Sequence, residues 1–175
     1  NQNYFELSKK AMNYSCQRQL KNGAWFYGAD EKYHWIDNFH TGYNLDSLKR
    51  YIQYSNDQDF NHHLKIGYEY FKEKFFLSDG TPRYYHNRMY PLDIQCAAQA
   101  IDTLALFSND DPSSLEIAKK VAMWTIKKMQ SKKGYFIYRI YPLIKSKAPM
   151  IHWGQATMYK ALNHLILKTN SDINR

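Results

Sequence analysis

Asn22-Gly23-Ala24-Trp25-Phe26-Tyr27-Gly28 decides how this chain is read, because its pattern returns twice. It returns as Asp79-Gly80-Thr81-Pro82-Arg83-Tyr84-Tyr85 and as Lys133-Gly134-Tyr135-Phe136-Ile137-Tyr138. The three glycines stand 57 and 54 residues apart. Each follows an amphipathic segment and precedes an aromatic cluster, a polar-aromatic loop and a second helical segment. A glycine just past a periodic run marks a helix end. Self-similarity at a fixed period marks a repeat architecture.

Outward from the glycines, apolar residues fall at helical spacing. Leu7, Ala11, Tyr14 and Leu20 predict a helix over Tyr4–Leu20, and a second runs from about Thr41 to Tyr54. Phe60, Leu64, Gly67, Tyr68, Phe71 and Phe75 predict a helix over Asp57–Phe76. Pro91 reads as the opening residue of a helix to about Phe107, since proline is tolerated in a first turn. Asp111-Pro112 opens another, to Met129, and Ile151–Leu167 is the last. Lys168 to Arg175 reads as a polar tail. Extended pieces after each glycine pair weakly at most, and no real sheet is expected.

A helical hairpin cannot bury its apolar face alone, so successive hairpins stack and the array curves. The expected fold is all-α, a partial α/α toroid of three hairpins, about half of a six-hairpin barrel. All 175 residues form a single domain or half-domain, with hairpins at about 4–55, 57–107 and 111–168. Half a ring leaves two apolar edges. Missing chain, most simply upstream of Asn1, self-association or a partner is therefore expected.

Composition narrows the classes. The net charge of +8 would suit an anionic partner, but the lysines are scattered. Their densest pairs, Lys119-Lys120, Lys127-Lys128 and Lys132-Lys133, fit the solvated face of one helix and its following loop. No nucleic-acid motif accompanies them. Cys16 and Cys96, without a CxxC, read as buried free thiols. His62 and His63 are adjacent and diverge on a helix, and no metal-ligand spacing occurs. GxGxxG and Walker loops are absent, so no cofactor is expected. The sequence shows neither a membrane span nor a leader segment, and because it starts without a Met a signal upstream could have been lost, so the compartment is left unknown with the cytoplasm favoured.

The loops that enter each second helix share a residue palette. They read Trp35-Ile36-Asp37-Asn38-Phe39-His40, then Tyr84-Tyr85-His86-Asn87-Arg88-Met89-Tyr90-Pro91-Leu92-Asp93-Ile94-Gln95, then His152-Trp153-Gly154-Gln155. His with a nearby carboxylate can move a proton. Asp37, His40, Asp93 and His152 are therefore the candidate catalytic residues. Trp35, Tyr84, Tyr85, Arg88, Tyr90, Gln95, Trp153 and Gln155 are the candidate substrate contacts, with rings to stack on sugars and an arginine for an anionic group. Cap or first-turn positions for Asp37, Asn38, Thr41 and Asp93 are the competing reading of those side chains. The expectation is that these loop ends gather at one mouth.

At these residues the chain resembles VpsJ-like proteins found with bacterial polysaccharide biosynthesis. The resemblance rests on Gly23 to Gly28, Trp35 to Tyr43, Leu92-Asp93-Ile94-Gln95-Cys96-Ala97-Ala98-Gln99-Ala100 and His152-Trp153-Gly154-Gln155-Ala156. It is similar, more distantly, to six-hairpin glycosidase, polysaccharide lyase and prenyltransferase-like toroids. The resemblance implies a link to surface polysaccharide and an oligo- or polysaccharide partner. The implied activity is a hydrolase, lyase or epimerase, with a non-catalytic glycan- or partner-binding scaffold as the alternative. The Asp-rich motif of terpene cyclases is absent.

Overall fold

The computed structural model describes residues 2–173. Over these residues six helices carry the chain: α1 (Gln2–Cys16), α2 (Asn38–Ser55), α3 (Asn61–Phe75), α4 (Ile94–Phe107), α5 (Ser113–Met129) and α6 (Thr157–Ile173). All six expected helices are present, with shifted ends. α1 stops at Cys16 instead of Leu20, because Arg18 and Gln19 turn back on Ser15 and Cys16 in tight bonds. Pro91 does not open α4. It follows a cis peptide, and the helix starts three residues later, capped by Asp93. α6 is entered through a π-helical turn, Ile151–Ala156. It runs on through Ile173, so the expected tail from Lys168 is helical over that stretch, and Asn174 and Arg175 lie outside the described residues.

Each glycine closes the same turn. Gly23, Gly80 and Gly134 have φ of 91°, 88° and 92°, a region open to glycine because a Cβ would collide with its own backbone. In each, the glycine N–H donates to the carbonyl three residues back: Leu20, Leu77 and Ser131. The N–H of that residue in turn donates to the carbonyl after the glycine, on Ala24, Thr81 or Tyr135. Gln19 Nε2 donates to the Gly23 carbonyl, and Gln130 Nε2 repeats this bond to Gly134.

The chain divides into two compact units, Asn1–Lys74 and Phe75–Arg175. In the first, Trp25, Leu45, Leu48, Phe60 and Phe71 fill the core, and the Trp25 indole N–H donates to the Ser15 carbonyl at 2.9 Å. The Gly23 turn lies against α3. A Cβ added there would stand 2.2 Å from the Ile66 carbonyl oxygen. Gly67 leaves room for the Trp25 ring, and Gln19 donates across to the His63 carbonyl.

In the second unit α4 is apolar nearly all round, as a helix enclosed by others must be. It packs against both α5 and α6. Alanines at 97, 98, 100 and 105 are buried along it, and Ile101, Leu104, Val121, Met129 and Met158 fill the space between helices. The Gly80 turn lies against α5, where a Cβ would be 2.5 Å from the Lys120 carbonyl carbon. The extended pieces do form a sheet, although a small one. β1 (Leu92–Asp93), β2 (Arg139–Ile140) and β3 (Lys145–Ser146) pair antiparallel in that order.

Cys16 and Cys96 are buried free thiols, and burial pushes the Cys16 thiol up to about 11. No described helix is long and apolar enough to cross a membrane.

Substituting Gly23→Ala or Gly80→Ala is expected to cost about 3 kcal/mol or more, because a backbone clash adds to the positive-φ strain. Urea denaturation of each variant against the parent chain measures it. A loss below about 1 kcal/mol, the φ effect alone, would show that neighbouring helices yield freely.

Candidate functional site

Polar and aromatic side chains gather separately in each unit. In the first, Asp37 caps α2, accepting the His40 backbone N–H at 2.9 Å. The same carboxylate receives the His40 ring at Nδ1, 2.8 Å from Oδ2, and the Trp35 indole N–H at 3.1 Å. Capping and ligand chemistry were rival readings of Asp37, and one buried carboxylate serves the helix end while orienting a histidine. The Asp37 side chain is fully buried, whereas that of His40 is 38% exposed.

Rings surround His40. Tyr27 meets it edge-on at 4.6 Å and stacks on Trp35 at 4.5 Å, and Phe39 lies 4.0 Å away. Asn38 is fully buried beside Asp37, and neither of its amide atoms has a hydrogen-bond partner. An orphaned buried amide costs about 1–3 kcal/mol. Thr41 stands at the end of the first turn of α2, where its hydroxyl donates to the Asp37 carbonyl. A separate cleft of about 470 Å³ lies between α1 and the following loop, lined by Tyr14, Arg18, Phe26, Tyr27 and His34 among others.

In the second unit Asp93 caps α4 through the Gln95 N–H at 2.7 Å and takes the Arg139 Nε–H on its other oxygen. Burial pushes the Asp93 carboxyl above the ordinary carboxylate range, against the pull of Arg139. Arg139 lies over the rings of Tyr138, at 4.5 Å, and Tyr84, at 5.4 Å. Tyr84 and Tyr85 are 4.5 Å apart, and the chain folds back so that Arg88 covers Tyr85 at 4.0 Å. Two guanidiniums and three tyrosines thus share one neighbourhood.

Tyr90 is exposed before the cis peptide, and Gln95 is half-buried in the first turn of α4. His152 and Trp153 are exposed on the π-helical turn. Gln155 is a structural fastener, since its amide accepts from the Phe136 N–H and donates to the Phe136 carbonyl, both at 2.8 Å. Among the described residues no group of three His, Cys, Asp or Glu could hold a metal.

Arg139 was not among the expected residues, although its register was a signal: it stands five past Gly134, as Tyr85 stands five past Gly80. The position before it is tyrosine in all three repeats, Tyr27, Tyr84 and Tyr138, and each of these rings borders one of the two clusters. A third polar group, also unexpected, joins α4 to α6. Asp102 is buried and accepts from His164 Nδ1 at 2.8 Å and from Lys160 at 2.6 Å. Burial raises its carboxyl, but those two bonds win and hold it below the ordinary range.

No protein-family profile and no curated protein matches this chain. Solved structures do. The chain is similar to cellobiose 2-epimerase from Spirochaeta thermophila DSM 6192, with a TM-score of 0.79 and 8% identity, over 99% of this chain and 48% of that one. It is similar to unsaturated glucuronyl hydrolase from Bacillus sp. GL1, with a TM-score of 0.75 and 15% identity, over 94% and 50%. It is also similar to an inactive variant of the α-1,6-mannanase GH76A of Salegentibacter sp. HEL1_6 in complex with α-1,6-mannotetrose, with a TM-score of 0.65 and 15% identity, over 95% and 65%. The fold is therefore all-α, a partial α/α toroid. The chain spans about half the length of the first two structures.

Asp102→Asn is expected to lower stability by about 1–2 kcal/mol at neutral pH, a modest figure because Lys160 is largely exposed. A carboxyl held low in the fold stabilises fully above its ordinary pKa of about 4, and loses that contribution as pH falls through the lower folded value. Denaturation from pH 7 to pH 3 should show the parent and variant curves converging. A gap constant with pH would mean that the ionised carboxylate is not what stabilises.

Proposed function

We propose that this chain is part of a carbohydrate-active protein, and that the Asp37–His40 pair carries its proton-transfer chemistry. One observation supports this most: a buried carboxylate grips His40 at Nδ1 while the ring edge stays partly exposed among Tyr27, Trp35 and Phe39. Holding Nδ1 fixes the tautomer and leaves Nε2 to face a ligand, the division of labour required of an oriented acid or base. The surrounding rings offer flat apolar faces of the kind that sugar rings pack on. In the second unit, Arg88 and Arg139 favour an anionic sugar such as a uronate, with Asp93 held between cap and guanidinium. His152, Trp153, Tyr90 and Gln95 are proposed as lesser contacts.

The reaction class would be hydrolysis, elimination or epimerisation of a glycan. All three need a proton moved at a ring carbon or at the glycosidic oxygen. The solved structures of this fold include an epimerase, a hydrolase and a mannanase. The sequence resemblance to VpsJ-like proteins supports bacterial surface polysaccharide as the setting. The rival reading is a glycan-binding scaffold without turnover, favoured by how much of the polar equipment also caps helices.

The chain should be incubated with neutral and uronate-containing oligosaccharides, with products followed by mass spectrometry and NMR. A product, or deuterium exchanged into the sugar, is expected. His40→Gln should slow it about 100-fold or more while binding changes little. Binding with no product and no exchange would select the scaffold. No binding to any glycan would overturn the reading.

A further inference from the structure

The second unit carries a groove that the candidate sites do not use. It has a volume of about 650 Å³ and is lined by α5 and by Asp79 of the Gly80 turn. Helical spacing builds one wall. Lys120 stands four residues before Trp124, and Lys127 and Lys128 stand three and four after it. Residues at those spacings share a helix face, so one aromatic ring has cations a turn to either side. Lys120 and Lys127 are about 10 Å apart along the helix axis. The apolar side of α5 is already packed on α4 and α6. The groove is therefore the helix's polar face, inside the sequence, and not a seat left unfilled.

The glycine turn supplies the opposite charge. Gly80 lies against the Lys120 backbone, which brings Asp79 to the groove. One Asp79 oxygen accepts the Thr81 N–H at 2.9 Å, and that bond, helped by Lys128, holds its carboxyl below the ordinary range. Glu116, four before Lys120, lines the groove too and pairs with Lys119 at 2.8 Å. Among the described residues, neither Lys120 nor Lys127 has an ion-pair partner, and the half-buried Trp124 has no acceptor for its indole N–H. Met123, beside it, is 66% exposed.

We infer that this groove binds an acidic polysaccharide, at a site that shares no residue with the Asp37–His40 and Asp93–Arg139 clusters. Such a glycan carries what each wall requires. Its carboxylates or sulfates take the lysines, and the apolar face of a sugar ring packs on Trp124 or Met123. Its hydroxyls donate to Asp79 and Glu116, and its oxygens accept the indole N–H. The two carboxylates set this ligand apart from other polyanions. A phosphate backbone meets them with repulsion and brings few hydroxyls to donate. A bilayer surface needs an apolar helix face to bury, and that face of α5 is in the core. The inference does not depend on turnover at His40.

Calorimetric titration of the full chain with polygalacturonate and with heparin tests it, with dextran as the neutral polymer. Binding to at least one acidic polymer is expected, with none to dextran, and it should weaken as sodium chloride rises. The triple variant Lys120→Gln, Lys127→Gln, Lys128→Gln should lose about tenfold or more in affinity. These side chains are exposed, so its melting temperature should hold. Trp124→Phe keeps a ring and removes the N–H, and a loss of about threefold is expected. Lysine acetylation read by peptide mass spectrometry should show Lys120, Lys127 and Lys128 shielded by the polymer. His40→Gln should bind as the parent does, so a chain that binds here without turning over any glycan sinks the catalytic reading and leaves this one standing. No binding to either acidic polymer, or full binding by the triple variant, overturns the inference. Tighter binding to duplex DNA or to phosphatidylserine vesicles overturns it as well, as does binding that Arg88→Gln abolishes.

Discussion

The close approach of a glycine turn to a neighbouring helix backbone is the constraint on which the rest depends. At Gly23 and Gly80 the turn, with φ near +90°, brings the chain within van der Waals reach of a helical carbonyl, and no side chain fits between them. That contact sets the distance between one hairpin and the first helix of the next. It also sets where the chain leaves the turn, and so where the following aromatics lie. Tyr27 and Tyr84, each four past its glycine, take their places from it. Removing Cβ at Gly23 and Gly80 is thus the local condition for packing, and the repeated tyrosine is its consequence for the candidate sites.

Helix caps link that scaffold to chemistry. A second helix needs an acceptor for its first N–H groups, and Asp37 and Asp93 provide it. A carboxylate buried to cap a helix still has lone pairs left over. In α2 these hold Trp35 and the His40 ring, and in α4 they hold Arg139. The same carboxylates thus cap a helix and hold a neighbouring side chain in place. The third repeat departs from this plan: α6 opens with a π-helical turn, and Gln155 ties that turn to the Phe136 backbone through both amide atoms. The third repeat contributes Tyr138 and Arg139 to the cluster around Asp93 while its own second helix opens without an aspartate cap.

Fold similarity and site geometry carry different weight here. Superposition over nearly the whole chain at 8–15% identity speaks for backbone architecture. Sites are made by side chains, which such identities leave open. The functional reading therefore stands on the buried Asp37, the orientation of His40 and the arginine-tyrosine cluster.

Six helices, their order and the repeat that spaces them were legible in the sequence, because amphipathic spacing and a glycine stop are local properties. Both capping aspartates were legible for the same reason. Where α4 begins was not, since Pro91 suits a first turn locally and the chain instead crosses a cis peptide into a short strand paired with Arg139–Ile140. Tertiary structure alone decided that Asp93 meets Arg139, 46 residues away, and that Asp102 collects Lys160 and His164 from another helix. Contacts of that range leave no periodicity to read. They exist because α4, apolar nearly all round, draws α5 and α6 onto itself and brings with them the few polar groups that its own buried carboxylates require.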